Sequence, residues 1–472
     1  MNLDLRSPRP TDRATSSTVS STRRVGVLVG LFVVVAIGPI VGSKTAQPTS
    51  RYALTAAMAE HGTADLGRYR DQLGIDRAIY RGHLRSDKAP GQPMLAVPVY
   101  LAGRAAGAES ATYARARGDL GVWWVTLWSA AVPFAILVAL MYMAAERFAR
   151  RRAALAAALA LGVCTMMLPH AVNLYAHDLA ALLAFGAWLL IEPVPVSPRR
   201  AVLAGFVAGL AVLTEYESVI VLVVLGAYLL LRARHRLGWF LVGGVVPVVV
   251  LAWYQWAAFG APWHTPAAYY AGTLNGTSEG GYSLPGLHGT FALLFGVRGL
   301  VFGAPVAFVA LLGVVWSIRS GSRLERTHAL IALAVFVPYA ALCAGWSGLP
   351  LPEETGPRYL IPVLPFLAVP LAAHWDRLWR PAALAAAVGA LVAVPAATTF
   401  NLLRINQSPF PEMFRRVQHR LFLPTLWSMG LGRLGVALYA ASVVGAGVLL
   451  LRASAGARRD GGVLARTTDE NR

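Results

Sequence analysis

The sequence predicts an all-α polytopic membrane protein with about 12 transmembrane helices, and three observations predict it. Of its 472 residues, 56% are hydrophobic and only 14% are charged, which excludes an ordinary water-soluble domain. Apolar runs close to the length of a spanning helix recur along the chain. The net charge of +19 comes mainly from short basic clusters between these runs, a pattern that orients membrane helices rather than one that binds nucleic acid.

The apolar runs define the expected spans in chain order. Runs that predict one span each are 25–43, 121–145, 153–172, 177–194, 238–258, 300–318, 328–345, 358–374, 381–400 and 429–451. The stretch 201–231 is too long for one span and contains TEYES, whose Glu215 and Glu217 are costly in lipid. We therefore expect two short helices there, with this polar tip at the membrane face, where it could line a cavity.

Basic clusters predict the orientation of the chain. They fall on every second connection, which makes that side cytoplasmic: 23–24, 150–152, 199–200, 232–236, 319–326, 377–380 and 458–459. Residues 1–24 and 453–472 then form disordered cytoplasmic tails around a transmembrane domain of 25–452. The first external loop, 44–120, is long and polar, and long loops are translocated with little regard to charge.

The first external loop is expected to contain two helices that lie along the membrane interface, at 50–62 and 92–107. Between them lies the polar segment HLRSDKAPGQP, residues 83–93. A polar segment held at both ends by interfacial helices would lie at headgroup depth. There it would meet the phosphate of a lipid-linked molecule.

The segment DRAIYRGHLRSDKAPGQPMLAVPVYL resembles the first-loop signature of bacterial family 39 glycosyltransferases. These belong to the GT-C superfamily of protein mannosyltransferases and lipid A aminoarabinose transferases. Further blocks resemble the same proteins in the same order: GFVAGLAVLTEYES, WYQWAAFGAPWHTPAAYY, LLFGVRGLVFGAPVAF and GWSGLPLPEETGPRYLIPVLPFLAVPL. The likeness extends from about residue 44 to about residue 374.

The resemblance implies a membrane enzyme that transfers a sugar from a polyprenyl-phosphate carrier at the external face of the bacterial plasma membrane. The implied partners are this lipid-linked donor, membrane lipids, and an envelope lipid, glycan or protein as acceptor, with no nucleic acid. No cofactor is implied, and the binding of a divalent cation stays open.

The chemistry requires one carboxylate to accept the proton of the acceptor hydroxyl and cations to stabilise the departing phosphate. By resemblance, Asp76 and Asp87 are the candidate bases, and Lys88 and Arg358 are the candidate phosphate ligands. Many such transferases also carry an Asp-Glu pair just beyond the first span, where this chain reads QPTSRY.

The other expected substrate-binding residues are His83, Tyr359, Glu353, Glu354 and Glu215. Each candidate also has a structural explanation. Asp87 could cap the segment after it, Asp76 could form a surface ion pair, and His83 could make a structural hydrogen bond. An arginine such as Arg358 at the start of a span ordinarily extends to the headgroups.

Two other classes of function compete with transfer. About 12 spans also suit a transporter or lipid flippase, but such a protein would carry more charged residues within its spans. A GT-C-like scaffold without catalysis is the third reading. Cys164 and Cys343 lie in apolar runs and indicate packing rather than a disulfide or metal site.

Overall fold

The structure is a computed structural model that describes residues 10–42, 45–108, 119–192, 195–270, 273–274, 277–278, 283–346, 354–404 and 407–456. Within these residues, five helical segments are long and apolar enough to cross a membrane, and a pair bent by 101° would make a sixth. The all-α, multi-pass class is confirmed. The count of twelve spans stays a prediction.

The N-terminal region places a hairpin between helices. Its elements are α1 (Pro10–Ile37), α2 (Ala46–His61), a 3-10 helix (Gly67–Gln72), β1 (Ala78–Tyr80), β2 (His83–Arg85) and α3 (Gly91–Ala105). The two helices expected in the first loop are present as α2 and α3. Residues 47–57 of α2 are buried in protein, because one side packs on the hairpin and the end of α11 and the other on α3 and α4. The helix is therefore more enclosed than a helix lying on lipid.

The first half of the bundle follows. It contains α4 (Leu120–Thr126), a π-helical turn (Leu127–Ala131), α5 (Val132–Ala145), α6 (Arg151–Gly162), α7 (Met167–Ala171), α8 (His177–Ile191), α9 (Pro198–Thr214), α10 (Val219–Ala233) and α11 (Leu237–Phe259), with 3-10 turns at Tyr216–Ser218 and Arg234–Arg236. The predicted break in 201–231 is confirmed, because α9 ends at Thr214 and Glu215 is extended (φ −146°, ψ 122°).

The second half contains more interrupted elements. They are a 3-10 helix (Pro266–Tyr269), β3 (Thr273–Leu274), β4 (Thr277–Ser278), α12 (Leu287–Phe295), α13 (Leu300–Gly303), α14 (Val306–Ser320), α15 (Arg323–Ala344), a 3-10 helix (Arg358–Leu367), α16 (Ala368–Ala373), α17 (Trp375–Thr398), α18 (Pro409–Gln418) and α19 (Leu426–Gly456). The expected helix at 358–374 begins as a 3-10 helix, and Pro362 and Pro365 within it interrupt the hydrogen bonding of a continuous α-helix because they lack amide protons.

Small residues bring the helices close together. A Cβ on Gly205 of α9 would lie 1.8 Å from the Phe240 carbonyl oxygen of α11, and one on Gly243 would lie 1.9 Å from the Val202 oxygen. Glycine at such an interface lets two backbones approach, and this packing replaces the hydrophobic force that is missing between helices in lipid. The tight α9–α11 pair fixes the end of α9, next to which the polar residues gather.

Candidate active site

A β-hairpin brings the polar segment of the first loop to the bundle. β1 pairs antiparallel with β2, with Ile79 opposite Leu84. The turn between the strands has Arg81 and Gly82 at φ angles of 49° and 81°, the left-handed backbone that two-residue hairpin turns adopt. The chain leaves the hairpin at Arg85 and enters the loop that carries Asp87 and Lys88.

Buried contacts hold this loop on both sides. The hydroxyl oxygens of Ser50 and Ser86 lie 2.8 Å apart. The Gln92 amide donates to two main-chain carbonyls at 3.0 and 2.9 Å. A Cβ on Gly91 would lie 2.6 Å from the Leu213 backbone, so glycine is needed for the loop to rest on the end of α9. The loop is therefore fixed beside the α9–α10 break.

Lys88 holds two carboxylates together. Its Nζ donates to Asp76 Oδ1 at 2.8 Å and to Asp87 Oδ2 at 2.7 Å, and all three side chains are largely buried. The second oxygen of Asp87, Oδ1, is buried and has no hydrogen-bond partner in the described part of the chain. An unsatisfied buried oxygen is costly, so this atom is available to a donor on a bound molecule.

The two side chains have shifted pKa values. Burial raises the pKa of Asp87 from 3.8 to about 6, although Lys88 acts in the opposite direction. Burial disfavours the ammonium of Lys88, but the carboxylates of Asp76 and Asp87 outweigh it and hold the Lys88 pKa above its ordinary value. Near neutral pH the loop therefore presents a charged amine beside a carboxylate suited to accept a proton.

A second ion pair joins the first loop to the α9–α10 break. Arg51 of α2 donates to Glu215 Oε1 at 2.7 Å, and His177 Nδ1 lies 3.5 Å from the same oxygen. Arg51 is only 1% exposed, and its Nε and a terminal nitrogen have no partner among the described residues. A buried arginine with unused donors is suited to bind an anion.

Arg358 is held by three neighbours. Glu354 accepts a hydrogen bond from its guanidinium, and the Tyr359 hydroxyl accepts another at 3.3 Å. The Gln47 oxygen, with the amide turned to face the guanidinium, accepts at 2.7 and 3.1 Å. The Nε of Arg358 has no partner within the described chain. These contacts fix a planar group that matches phosphate geometry.

The clusters around Lys88, Arg51 and Arg358 line one cavity of about 450 Å³. Of the residues predicted from the sequence, those that line it are Asp76, Asp87, Lys88, Glu215, Arg358 and Tyr359. Glu217 lines it too, and Val219, Leu342 and Trp346 add apolar and aromatic surface. The cavity therefore combines cations, carboxylates and an apolar wall.

The other predicted residues lie elsewhere. His83 is exposed and is not among the lining residues; its Nδ1 lies 2.5 Å from Asp65 Oδ2. Burial alone would raise the pKa of Asp65, but the Gly67 amide and His83 lower it. Glu354 is buried beside Arg358 rather than at the cavity surface. Glu353 lies outside the described residues.

The lining residues that were absent from the expected site include three with ring or amide nitrogens or a guanidinium: Gln47, Arg51 and His177. Gln47 and Arg51 belong to QPTSRY, where the family comparison directed attention to a missing carboxylate rather than to the arginine present. His177 is the first residue of α8 and follows a short turn. An arginine within a helix of small and apolar residues is the signal that could have identified Arg51.

Among the described residues, no group of three or more His, Cys, Asp or Glu side chains is arranged to hold a metal ion. The carboxylates of the cavity are instead engaged by cations, since Lys88 bridges Asp76 and Asp87 and Arg51 binds Glu215.

The fold has counterparts among solved structures. ArnT from Cupriavidus metallidurans in the apo state has a TM-score of 0.52 and 17% identity, covering 93% of this chain and 73% of that chain. The same protein bound to undecaprenyl phosphate has a TM-score of 0.50 and 17% identity, and the match covers 94% of this chain and 78% of that chain. A third match is the archaeal oligosaccharyltransferase AglB from Archaeoglobus fulgidus, in complex with an inhibitory peptide and a dolichol-phosphate. It has a TM-score of 0.49 and 15% identity, and the match covers 86% of this chain and 60% of that chain.

No family model matches the chain, and no curated protein matches it in sequence. The more specific resemblance to family 39 therefore stays a prediction. The structural likeness to ArnT extends over nearly the whole chain. The chain therefore shares the fold of the ArnT structures.

Proposed function

We propose that the chain is a glycosyltransferase that uses a polyprenyl-phosphate-linked sugar as donor. It acts at the external face of the bacterial plasma membrane, and its acceptor is an envelope lipid, glycan or protein. The observation that carries the proposal is Asp87 Oδ1, which has no partner among the described residues and lies beside Lys88 in a cavity that Arg358 also lines. A proton acceptor and phosphate-binding cations are thus available to one bound molecule.

In the proposed reaction, the acceptor hydroxyl oxygen forms a bond to the anomeric carbon of the donor sugar. The bond between that carbon and the phosphate oxygen breaks, and its electron pair leaves with the polyprenyl phosphate. Asp87 Oδ1 takes the hydroxyl proton. Asp87 is preferred over Asp76 because it has the unpartnered oxygen and the pKa of about 6.

The cations of the cavity serve the leaving group. Lys88 and Arg358 bind the phosphate oxygens, and Arg51 adds unused donors. A departing phosphate needs charge stabilisation rather than a proton. The ArnT structure bound to undecaprenyl phosphate supports a donor of this chemical class, since a polyprenyl phosphate is the corresponding product.

The first test is transfer from a panel of radiolabelled polyprenyl-phosphate sugars by the purified protein in bilayers. We expect Asp87→Asn to lower the rate about 10²- to 10⁴-fold, the usual contribution of a general base. Arg358→Ala should lower it as well, because a donor to the developing charge is lost.

Matched controls come from the same loop. Asp71→Asn and Arg70→Ala alter exposed residues outside the cavity, and both should retain the parent rate. Folding of every variant is checked by thermal unfolding. An inactive parent across the donor and acceptor panel, or full activity in a folded Asp87→Asn variant, would refute the proposal and favour the transporter or scaffold reading.

A further inference from the structure

We propose that the bundle carries a second binding site, for one anionic phospholipid, in a groove between α10 and α15. The groove has a volume of about 310 Å³. It shares no lining residue with the cavity described above, so the inference does not depend on glycosyl transfer.

The walls of the groove are apolar and open to the outside of the bundle. Val224 and Ala227 of α10 face Ile331 and Ala334 of α15 across it. Leu231 also lines it and is 82% exposed. On a membrane helix such a surface meets lipid tails, and a depression between two helices gives one acyl chain more contact than a flat face does.

One end of the groove is basic. Arg232 lines it together with Thr327, and the guanidinium lies beside the hydroxyl of Tyr228, with Arg323 also near that hydroxyl. In the described ranges, no carboxylate pairs with Arg232. An apolar groove that ends in an exposed arginine, with no carboxylate partner among the described residues, complements a phospholipid with a net negative headgroup.

The inner wall of the groove is supported by a polar network. The Tyr228 ring contacts Trp188 at 5.1 Å between centroids, and Trp188 donates to His328 at 3.2 Å. His328 lies 3.2 Å from Glu192, which Arg147 binds through two hydrogen bonds of 2.5 and 2.8 Å. The network holds Tyr228 in place, so the site exists before the lipid arrives.

The test is native mass spectrometry of the purified full chain with added phosphatidylglycerol or phosphatidylcholine. We expect one retained phosphatidylglycerol and clearly weaker retention of phosphatidylcholine. Arg232→Gln should weaken phosphatidylglycerol retention about fivefold, as one charge near a headgroup predicts. Ala227→Trp, which fills the groove from an exposed position, should abolish it.

Two controls lie close by. Arg234→Gln removes an exposed arginine two residues from Arg232, and Val246→Trp adds the same bulk to an exposed face of α11; both should retain the lipid. Equal retention of the two lipids, or equal loss in Arg232→Gln and Arg234→Gln, would refute a specific site. A dimer that Ala227→Trp dissociates would show instead that a second copy covers the groove.

Discussion

The two oxygens of the Asp87 carboxylate have different surroundings. Lys88 engages one of its oxygens, and the other is buried without a partner among the described residues. A surface ion pair would leave both oxygens in water and contribute little. The local arrangement therefore costs stability and leaves one carboxylate oxygen to accept a hydrogen bond or a proton, as the proposed reaction requires.

The raised pKa of Asp87 predicts how transfer depends on pH. Its carboxylate can accept a proton only when ionised, and the pKa is about 6 rather than 3.8. The fraction able to act therefore falls as the pH drops through about 6. We expect kcat/KM to be flat above pH 7 and to decrease about tenfold per pH unit well below 6.

The measurement is kcat/KM of the parent between pH 4.5 and 8. The Asp71→Asn variant should give the same pH profile. Glutamate also has a carboxylate, so in an active Asp87→Glu variant kcat/KM should still fall at low pH. A parent rate that does not change between pH 7 and 5 would exclude Asp87 as the base.

At the level of elements, the site forms where helices are interrupted. The break after Thr214 turns Glu215 toward Arg51, and the 3-10 helix at Arg358–Leu367 begins with the arginine that lines the cavity. An uninterrupted helix would satisfy its own backbone and offer only side chains on one face. Irregular backbone is tolerated at membrane depth where protein encloses it or a cavity adjoins it.

The α9–α11 packing predicts a sensitive position. Gly205→Val should lower stability by about 1–3 kcal/mol, because the new side chain would overlap the Phe240 carbonyl. Thermal unfolding monitored by size-exclusion chromatography measures this change. Gly186→Val is the control, because a Cβ at Gly186 meets nothing within 4 Å. Equal unfolding temperatures for the two variants would contradict the close packing.

Over the whole molecule, the sequence predicts the fold class and much of the site. Hydropathy alone identifies a helical membrane protein, and Glu215 in TEYES marks the α9–α10 break. The interruptions at Pro362 and Pro365 were missed, because overall apolarity hides local backbone chemistry. Arg51 was missed because its partner Glu215 lies 164 residues away, and a single sequence does not reveal such a pairing.

The predicted orientation can be tested on intact cells. After Cys164 and Cys343 are replaced by serine, Arg68→Cys should react with a membrane-impermeant maleimide, because the predicted orientation puts it in the first external loop. Arg326→Cys should react only after permeabilisation, because it lies in a basic connection. Both positions are exposed in the structure. If only Arg326→Cys were labelled in intact cells, the predicted external and cytoplasmic faces would have to be exchanged.

The Arg51–Glu215 pair has a consequence for how the chain is made. A ribosome adds about 5–20 residues per second, so the 164 residues between the partners take roughly 8 to 33 s to synthesise. Throughout that interval α2 has left the ribosome while its buried arginine still lacks its counter-ion. The first loop therefore cannot form this ion pair until α9 has been synthesised. Assembly of the cavity is thus a late step in biogenesis.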